Sequence, residues 1–170
     1  EAKKKAEELI RLQEISALVA VGGDGTTQLC AGIAIPNQIP LGIIPAGSGN
    51  DQARELKIDL TNIPAAVKNI VDSLGSPKRV DAMKVSVSGK EIWSMGSISG
   101  GFDALCATRA NSLRWPKGPN SYIAALLLEL PSFNAIEYHL DVDGEKRVIE
   151  AMLCGVANVK NFGGGMMISP

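Results

Sequence analysis

With 17 basic against 18 acidic residues in 170, the chain is nearly neutral at −1 and offers no basic stripe for a nucleic-acid backbone. Aromatics at 4% are too few for base stacking, while 45% apolar and 21% charged residues suit a globular fold of one ordinary domain or two small ones. Cys30, Cys106 and Cys154 stand far apart with no CxxC and no histidine beside them, which argues against zinc and predicts buried free thiols in a reducing compartment.

Residues 1–15 read as an amphipathic helix with Leu9, Ile10, Leu12 and Ile15 on one face. The run Lys3-Lys4-Lys5 is flanked by Glu1, Glu7 and Glu8 at i,i+4 spacing, a solvated helix face. "ALVAV" (17–21) is a short, wholly apolar strand of the buried parallel kind. The turn "GGDG" follows, then a helix from Thr26 to Ala34 that stops before Pro36. "IPLGIIP" (39–45) is a second buried strand, and it too runs into a glycine turn, "AGSGN", and a helix from Asp51 to Leu56. Residues 64–74 form another amphipathic helix, closed by Gly75. Strand, turn and helix twice over is the pattern of an open α/β sheet.

The pattern changes near residue 78. "AMKVSVS", a Ser88-Gly89 turn and "EIWSMGSIS" read as a hairpin, and "YHLDVDGEKRVIEAMLCGVAN" repeats it around Asp143-Gly144. Between them lie helices at 103–113 and 121–130, the latter carrying a Leu126–Leu128 stretch expected in the core. The expected organisation is an α/β domain over 1–78 and a mainly antiparallel β domain over 79–170. The run "YIAALLLEL" is about half a membrane span, and no signal peptide is visible, so a cytoplasmic location is expected. His139, the sole histidine, sits in an alternating strand with no partner in sequence and reads as structural.

A turn from a parallel strand into a helix leaves free N–H groups that favour an anion, and glycine lets the backbone approach phosphate closely. Gly22, Gly23 and Gly25 fit that task, and Thr26 can cap the helix and donate its hydroxyl. Asp24 would repel phosphate by itself. It makes sense if it holds Mg²⁺ or takes a proton from an attacking hydroxyl. The plainer reading of one such turn is a tight bend with a capping aspartate. Two turns at successive strand ends favour a ligand, since open α/β sheets bind ligands at the carboxyl ends of strands. There Gly47, Ser48, Gly49 and Asn50 would meet the first turn.

"VAVGGDGT" followed by "PLGIIPAGSGNDQARELKI" resembles the catalytic domain of diacylglycerol kinases, most closely the bacterial lipid kinases, with sphingosine and ceramide kinases as relatives. The resemblance continues through "GGFDA" (100–104), "NSYIAALLLEL" and "VANVKNFGGGMMISP" (156–170). "GGDGT" alone is shared with NAD kinases; "GSGNDxAR" with "FGGGM" is specific to the lipid kinases. The resemblance implies ATP- and Mg²⁺-dependent phosphorylation of a lipid hydroxyl, diacylglycerol or a related lipid, in a cleft between an α/β domain and a β-sandwich. It implies that Gly22, Gly23, Asp24, Gly25 and Thr26 bind nucleotide phosphates and metal, with Asp24 catalytic, and that Gly47, Ser48, Gly49 and Asn50 complete the site. Asp51 and Arg54 would line the cleft, although a surface i,i+3 pair is as good a reading of Arg54. Asp103 matches a lipid head-group contact of sphingosine kinases, and alternatively caps the helix after it. Asn158, Phe162 and Gly163–Gly165 would lie near the same cleft. Peripheral contact with a membrane follows from a lipid acceptor, and a homodimer is allowed.

Family members begin with a strand and an "NP…G" loop, and continue past "GGGMMISP" into an acidic "DDGxLD" segment with further strands. The chain is therefore expected to be truncated at both ends, with a partial catalytic apparatus and an incomplete β domain. Two other readings compete. A NAD kinase-type enzyme explains "GGDGT" but not the later motifs, and a non-catalytic nucleotide-binding fragment suits the short ends. The spacing of "GGDGTT" does not fit a Rossmann GxGxxG.

Overall fold

The computed structural model describes residues 1–116, 119–163 and 165–167. They form two compact units, one from Glu1 to Ser97 joined by the stretch from Ala157 onward, the other Ile98–Val156. The change of pattern near residue 78 thus falls within the first unit, which also holds the first hairpin.

The first unit opens with α1 (Ala2–Arg11), whose outer face carries the expected pairs Lys3–Glu7 at 3.9 Å and Lys5–Glu8 at 3.1 Å. The helix is shorter than its apolar periodicity suggested, because Gln13 turns to a φ of 58°. Strand β1 (Leu18–Gly22) lies parallel to β2 (Leu41–Pro45), with Ala20 opposite Ile43 and Gly22 opposite Pro45. Helix α2 (Asp24–Ala34) makes the crossover, burying Ala31, Ile33 and Ala34. It begins two residues before the expected Thr26, with Gly23 as its N-cap, so Thr26 is an internal residue and no cap. Helix α3 (Asp51–Glu55) follows β2, and α4 (Ile63–Ser73) packs on β2. Gly42 is what allows that packing: a Cβ there would sit 2.9 Å from Cδ1 of Ile70. The hairpin of β3 (Met83–Val87) and β4 (Lys90–Ser94) turns at Ser88 and Gly89. Both have positive φ, 50° and 75°, as a two-residue turn of this hand requires.

"EIWSMGSIS" is two strands, not one. After a break at Met95-Gly96 the chain resumes as β5 (Ser97–Gly101), which pairs with a later strand instead of with the first hairpin. In the second unit α5 (Phe102–Ser112) and α6 (Pro119–Glu129) pack together, with a short 3₁₀ turn over Leu130–Ser132. Their core is Phe102, Cys106 and Ala125, flanked by Tyr122, Leu126 and Phe133; the Phe102 and Phe133 rings meet edge to face at 5.1 Å. Leu127 and Leu128, expected in this core, are exposed, because the buried stripe of α6 runs through Tyr122, Ala125, Leu126 and Glu129. Strands β6 (Ile136–Val142) and β7 (Glu145–Ala151) form the second hairpin around Asp143 and Gly144, again with positive φ. His139 is exposed on it, 2.8 Å from Glu137. Strand β8 (Leu153–Ala157) pairs with β5.

The chain then returns to the first unit through the short antiparallel pair β9 (Asn161–Phe162) and β10 (Met166–Met167). All three cysteines are free, but only Cys106 is buried; Cys30 and Cys154 are partly exposed. No helix among the described residues is long and apolar enough to cross a membrane.

Burial raises the Cys106 thiol above its ordinary 9.0, with the Glu129 and Asp103 carboxylates adding to the effect, and burial likewise raises the Tyr122 hydroxyl. A raised folded-state value favours the protonated form, so this stabilisation is complete below the unfolded thiol's 9.0 and is lost as pH rises beyond it. The unfolding temperature is expected to fall above that pH, and to fall less steeply in Cys106→Ala. Calorimetry across the alkaline range checks this; equal slopes would clear Cys106 of the effect.

Candidate functional site

Because β1 and β2 are parallel and in register up to Gly22 and Pro45, both glycine turns leave the sheet at the same end. They touch through their backbones. A Cβ at Gly47 would lie 2.3 Å from the Gly23 Cα and 2.9 Å from its nitrogen, so no side chain fits between them. The Ala46 N–H donates to the Gly22 carbonyl at 2.9 Å, extending the strand pairing into the turns. Gly22 is close-packed as well: a Cβ there would sit 2.5 Å from the Thr26 hydroxyl. Gly25 is different. Nothing lies within 4 Å of where its Cβ would be, leaving open space at the head of α2.

Asn50 organises the second turn. Its φ of 58° places it in the left-handed region that asparagine tolerates, and its amide brackets the loop. The Gly47 N–H donates to Asn50 Oδ1 at 3.0 Å, and Asn50 Nδ2 donates to the Gly47 carbonyl at 2.7 Å. Gly47 and Ser48 are exposed between these anchors, with Gly49 half-buried. Asp24, in the first turn of α2, accepts the Gln52 N–H at 3.1 Å and so ties α2 to the head of α3. Its negative charge is favourable at a helix N-terminus. Thr26 is exposed beside it. Thr27, which sequence reasoning passed over, is buried and donates to the Gly23 carbonyl at 3.1 Å, holding the turn from beneath.

Asp51 is buried at the start of α3. Arg54 is exposed and donates from Nε to the Gly49 carbonyl at 3.2 Å. A Cβ on Gly165 would stand 3.6 Å from that guanidinium, so this glycine of the tail motif lies beside Arg54. Asn158 donates to the carbonyls of Asp81 and Met95 at 2.8 and 3.1 Å. Of the same motif, Gly164 lies outside the described residues, and so does the side chain of Phe162. Asp103 belongs to the second unit. It does not cap α5, whose N-cap is Gly101; instead it is buried and accepts from the Ser99 hydroxyl.

Sequence reasoning also missed a pocket of about 190 Å³ lined by Gln52, Glu55, Lys78, Asp81, Met95 and Asn158. Gln52 contributes a buried Oε1 with no hydrogen-bond partner. Its place as the variable residue within "GSGNDxAR" gave no signal, since only the fold brings the 78–81 strand-leading segment to it.

Two exposed stretches of backbone, an open helix N-terminus and one carboxylate form a cradle suited to a phosphate with its cation. The diacylglycerol kinase catalytic domain matches residues 1–85. The chain belongs to that family. Residues 96–170 match the YegS C-terminal NAD kinase beta sandwich-like domain, in agreement with the expected α/β plus β-sandwich class. A protein of Mycobacterium tuberculosis H37Rv named diacylglycerol kinase is 36% identical over 156 residues, covering 91% of this chain and 50% of that protein. A Bacillus subtilis protein of the same name is 28% identical, covering 94% of this chain and 52% of its own length. A crystal structure of a diacylglycerol kinase from Bacillus anthracis superposes with a TM-score of 0.63 at 26% identity, covering 96% of this chain and 51% of that one. The chain thus spans about half the length of the relatives it matches.

The close approach of the turns makes Gly47→Ala expensive. It is expected to lower stability by about 1–3 kcal/mol, as overpacking does. Gly25→Ala, placed in open space, is expected to stay within about 1 kcal/mol of the parent. Urea denaturation of the two variants checks this, and equal midpoints would refute the contact.

Proposed function

We propose that the intact protein carrying this chain is a lipid kinase that moves the γ-phosphate of ATP to a lipid hydroxyl, with diacylglycerol or a close relative as acceptor. One observation carries the reading: two glycine turns in backbone contact at one end of a parallel strand pair, with Asp24 at the head of α2. Membership of the diacylglycerol kinase family supports it.

The N–H groups of the first turn of α2, from Gly23 through Thr26, would hold phosphate oxygens, and the open space at Gly25 leaves room for them. Gly47, Ser48 and Gly49 would close over the other side. Asn50 would position that loop, since both ends of its amide are engaged with Gly47. Asp24 would hold Mg²⁺, directly or through water. Among the described residues no three acidic, histidine or cysteine side chains gather, and Mg²⁺ commonly needs only one or two carboxylates beside phosphate and water. When bound, the ion would offset charge that develops on the transferring phosphoryl group. Asp24 is also the group that would orient the acceptor hydroxyl and take its proton. Arg54 would present a planar charge to phosphate, and Asp51 and Asp103 would serve the lipid side. In this reading residues 1–78 serve the nucleotide and 79–170 the lipid, and the protein works in the cytoplasm at a membrane surface.

Asp24→Asn preserves the acceptor for the Gln52 N–H but removes the charge. In the intact protein it is expected to lower kcat by about 100-fold or more, with an unchanged unfolding midpoint, while Cys30→Ser leaves turnover intact. Labelled ATP offered with diacylglycerol, sphingoid base, ceramide and undecaprenol-type acceptors tests both points. Transfer to none of these lipids would overturn the proposal, and transfer to NAD alone would replace it with the NAD kinase-type reading.

A further inference from the structure

Asp103, in the first turn of α5, is only 8% exposed, and its two carboxylate oxygens are treated differently. One accepts from the Ser99 hydroxyl. The other, Oδ1, is buried with no hydrogen-bond partner among the described residues. The Ser99 bond satisfies none of the free N–H groups at the head of α5, so it is not a cap. What it does is fix the direction of the carboxylate. A buried acceptor left open in this way costs free energy until a donor reaches it.

The backbone that carries Asp103 is gripped as well. Gly101 turns the chain from β5 into α5 with a φ of 102°, a conformation that glycine alone adopts readily. Tyr138, on β6, donates its hydroxyl to the Gly100 carbonyl at 3.1 Å. A Cβ on Gly101 would strike that hydroxyl and come within 2.5 Å of the Met152 carbonyl oxygen. The same carbonyl accepts the Phe102 N–H at 2.8 Å, and Phe102 is buried against Phe133. The turn held in this way brings Ser99 back onto Asp103, four residues later. Phenylalanine would fill the half-buried place of Tyr138 on the hairpin equally well. The hydroxyl adds the bond to Gly100, and so acts on the turn.

We propose that Ser99 and Tyr138 are positioning residues for the lipid acceptor. Ser99 sets where the Asp103 carboxylate points, Tyr138 sets where the turn beneath it stands, and both act on the acceptor through Asp103. The inference rests on the reading of Asp103 as a residue that serves the lipid. The intact protein is assayed with labelled ATP and the acceptor of the lipid panel that it turns over fastest, each varied in turn. Ser99→Ala is expected to raise the KM for lipid about tenfold, with kcat and the KM for ATP unchanged, as loss of a charge-assisted hydrogen bond would do. Ser99→Thr keeps the hydroxyl and should return the lipid KM to within about twofold of the parent. Tyr138→Phe should raise the lipid KM about threefold by the same route. In an Asp103→Ala background neither change should add a further loss, because the group they aim is gone. A role in folding alone would move both KM values together and would add to Asp103→Ala in full. A normal lipid KM in Ser99→Ala, an equal rise in the KM for ATP, or full additivity with Asp103→Ala would each overturn the proposal and leave the lipid-kinase reading standing. Transfer by the parent to no lipid would overturn that reading, and the positioning roles with it.

Discussion

The first unit depends on a backbone contact. Gly23 and Gly47 meet so closely that Gly47 cannot carry a side chain and a Cβ on Gly23 would press to 3.0 Å from the Gly47 Cα, and this contact converts two separate strand-to-helix turns into one surface. The parallel register of β1 and β2 makes the meeting possible by ending both strands at the same level. The hydrogen bond from Ala46 to Gly22 then carries the pairing one residue past the strands. Everything assigned to phosphate follows from that level ending, because it points the heads of α2 and α3 to a common place.

Polar side chains lock the arrangement instead of decorating it. Asn50 spans its own turn, Asp24 spans to the N–H of Gln52, and Thr27 ties the first turn to the helix it starts. Each bond satisfies a group that a helix end or a tight turn would otherwise leave unpaired. Asp24 therefore has a structural partner as well as a position suited to chemistry. The same carboxylate can serve both because its exposure leaves it in reach of solvent while one oxygen accepts the amide.

The second unit follows a different logic. Its small core is made by two helices, an edge-to-face phenylalanine pair and a buried thiol, and the acids near that core are withdrawn from solvent. The fold hides Asp103 and Glu129 while leaving Arg109, the partner of Glu129, half exposed. That asymmetry is invisible in net charge, which sums over groups that the fold separates.

How much of this was legible in the residues themselves varies with the range of the interactions. The two strands, the two glycine turns and the helices after them were readable, because apolar runs, glycine and helix-stop residues act through neighbours in sequence. Both two-residue hairpin turns were readable for the same reason, and the later motifs made the family readable. What the tertiary structure decided was contact between distant segments: that Gly23 abuts Gly47, that Gln52 faces the 78–81 segment, and that Gly165 returns to Arg54. It also decided that "EIWSMGSIS" breaks at Met95-Gly96, since its second half pairs with β8. Burial belongs to the same class. The apolar periods of α6 fit more than one buried face, so only packing against α5 could select Leu126 for the core and leave Leu127 and Leu128 outside.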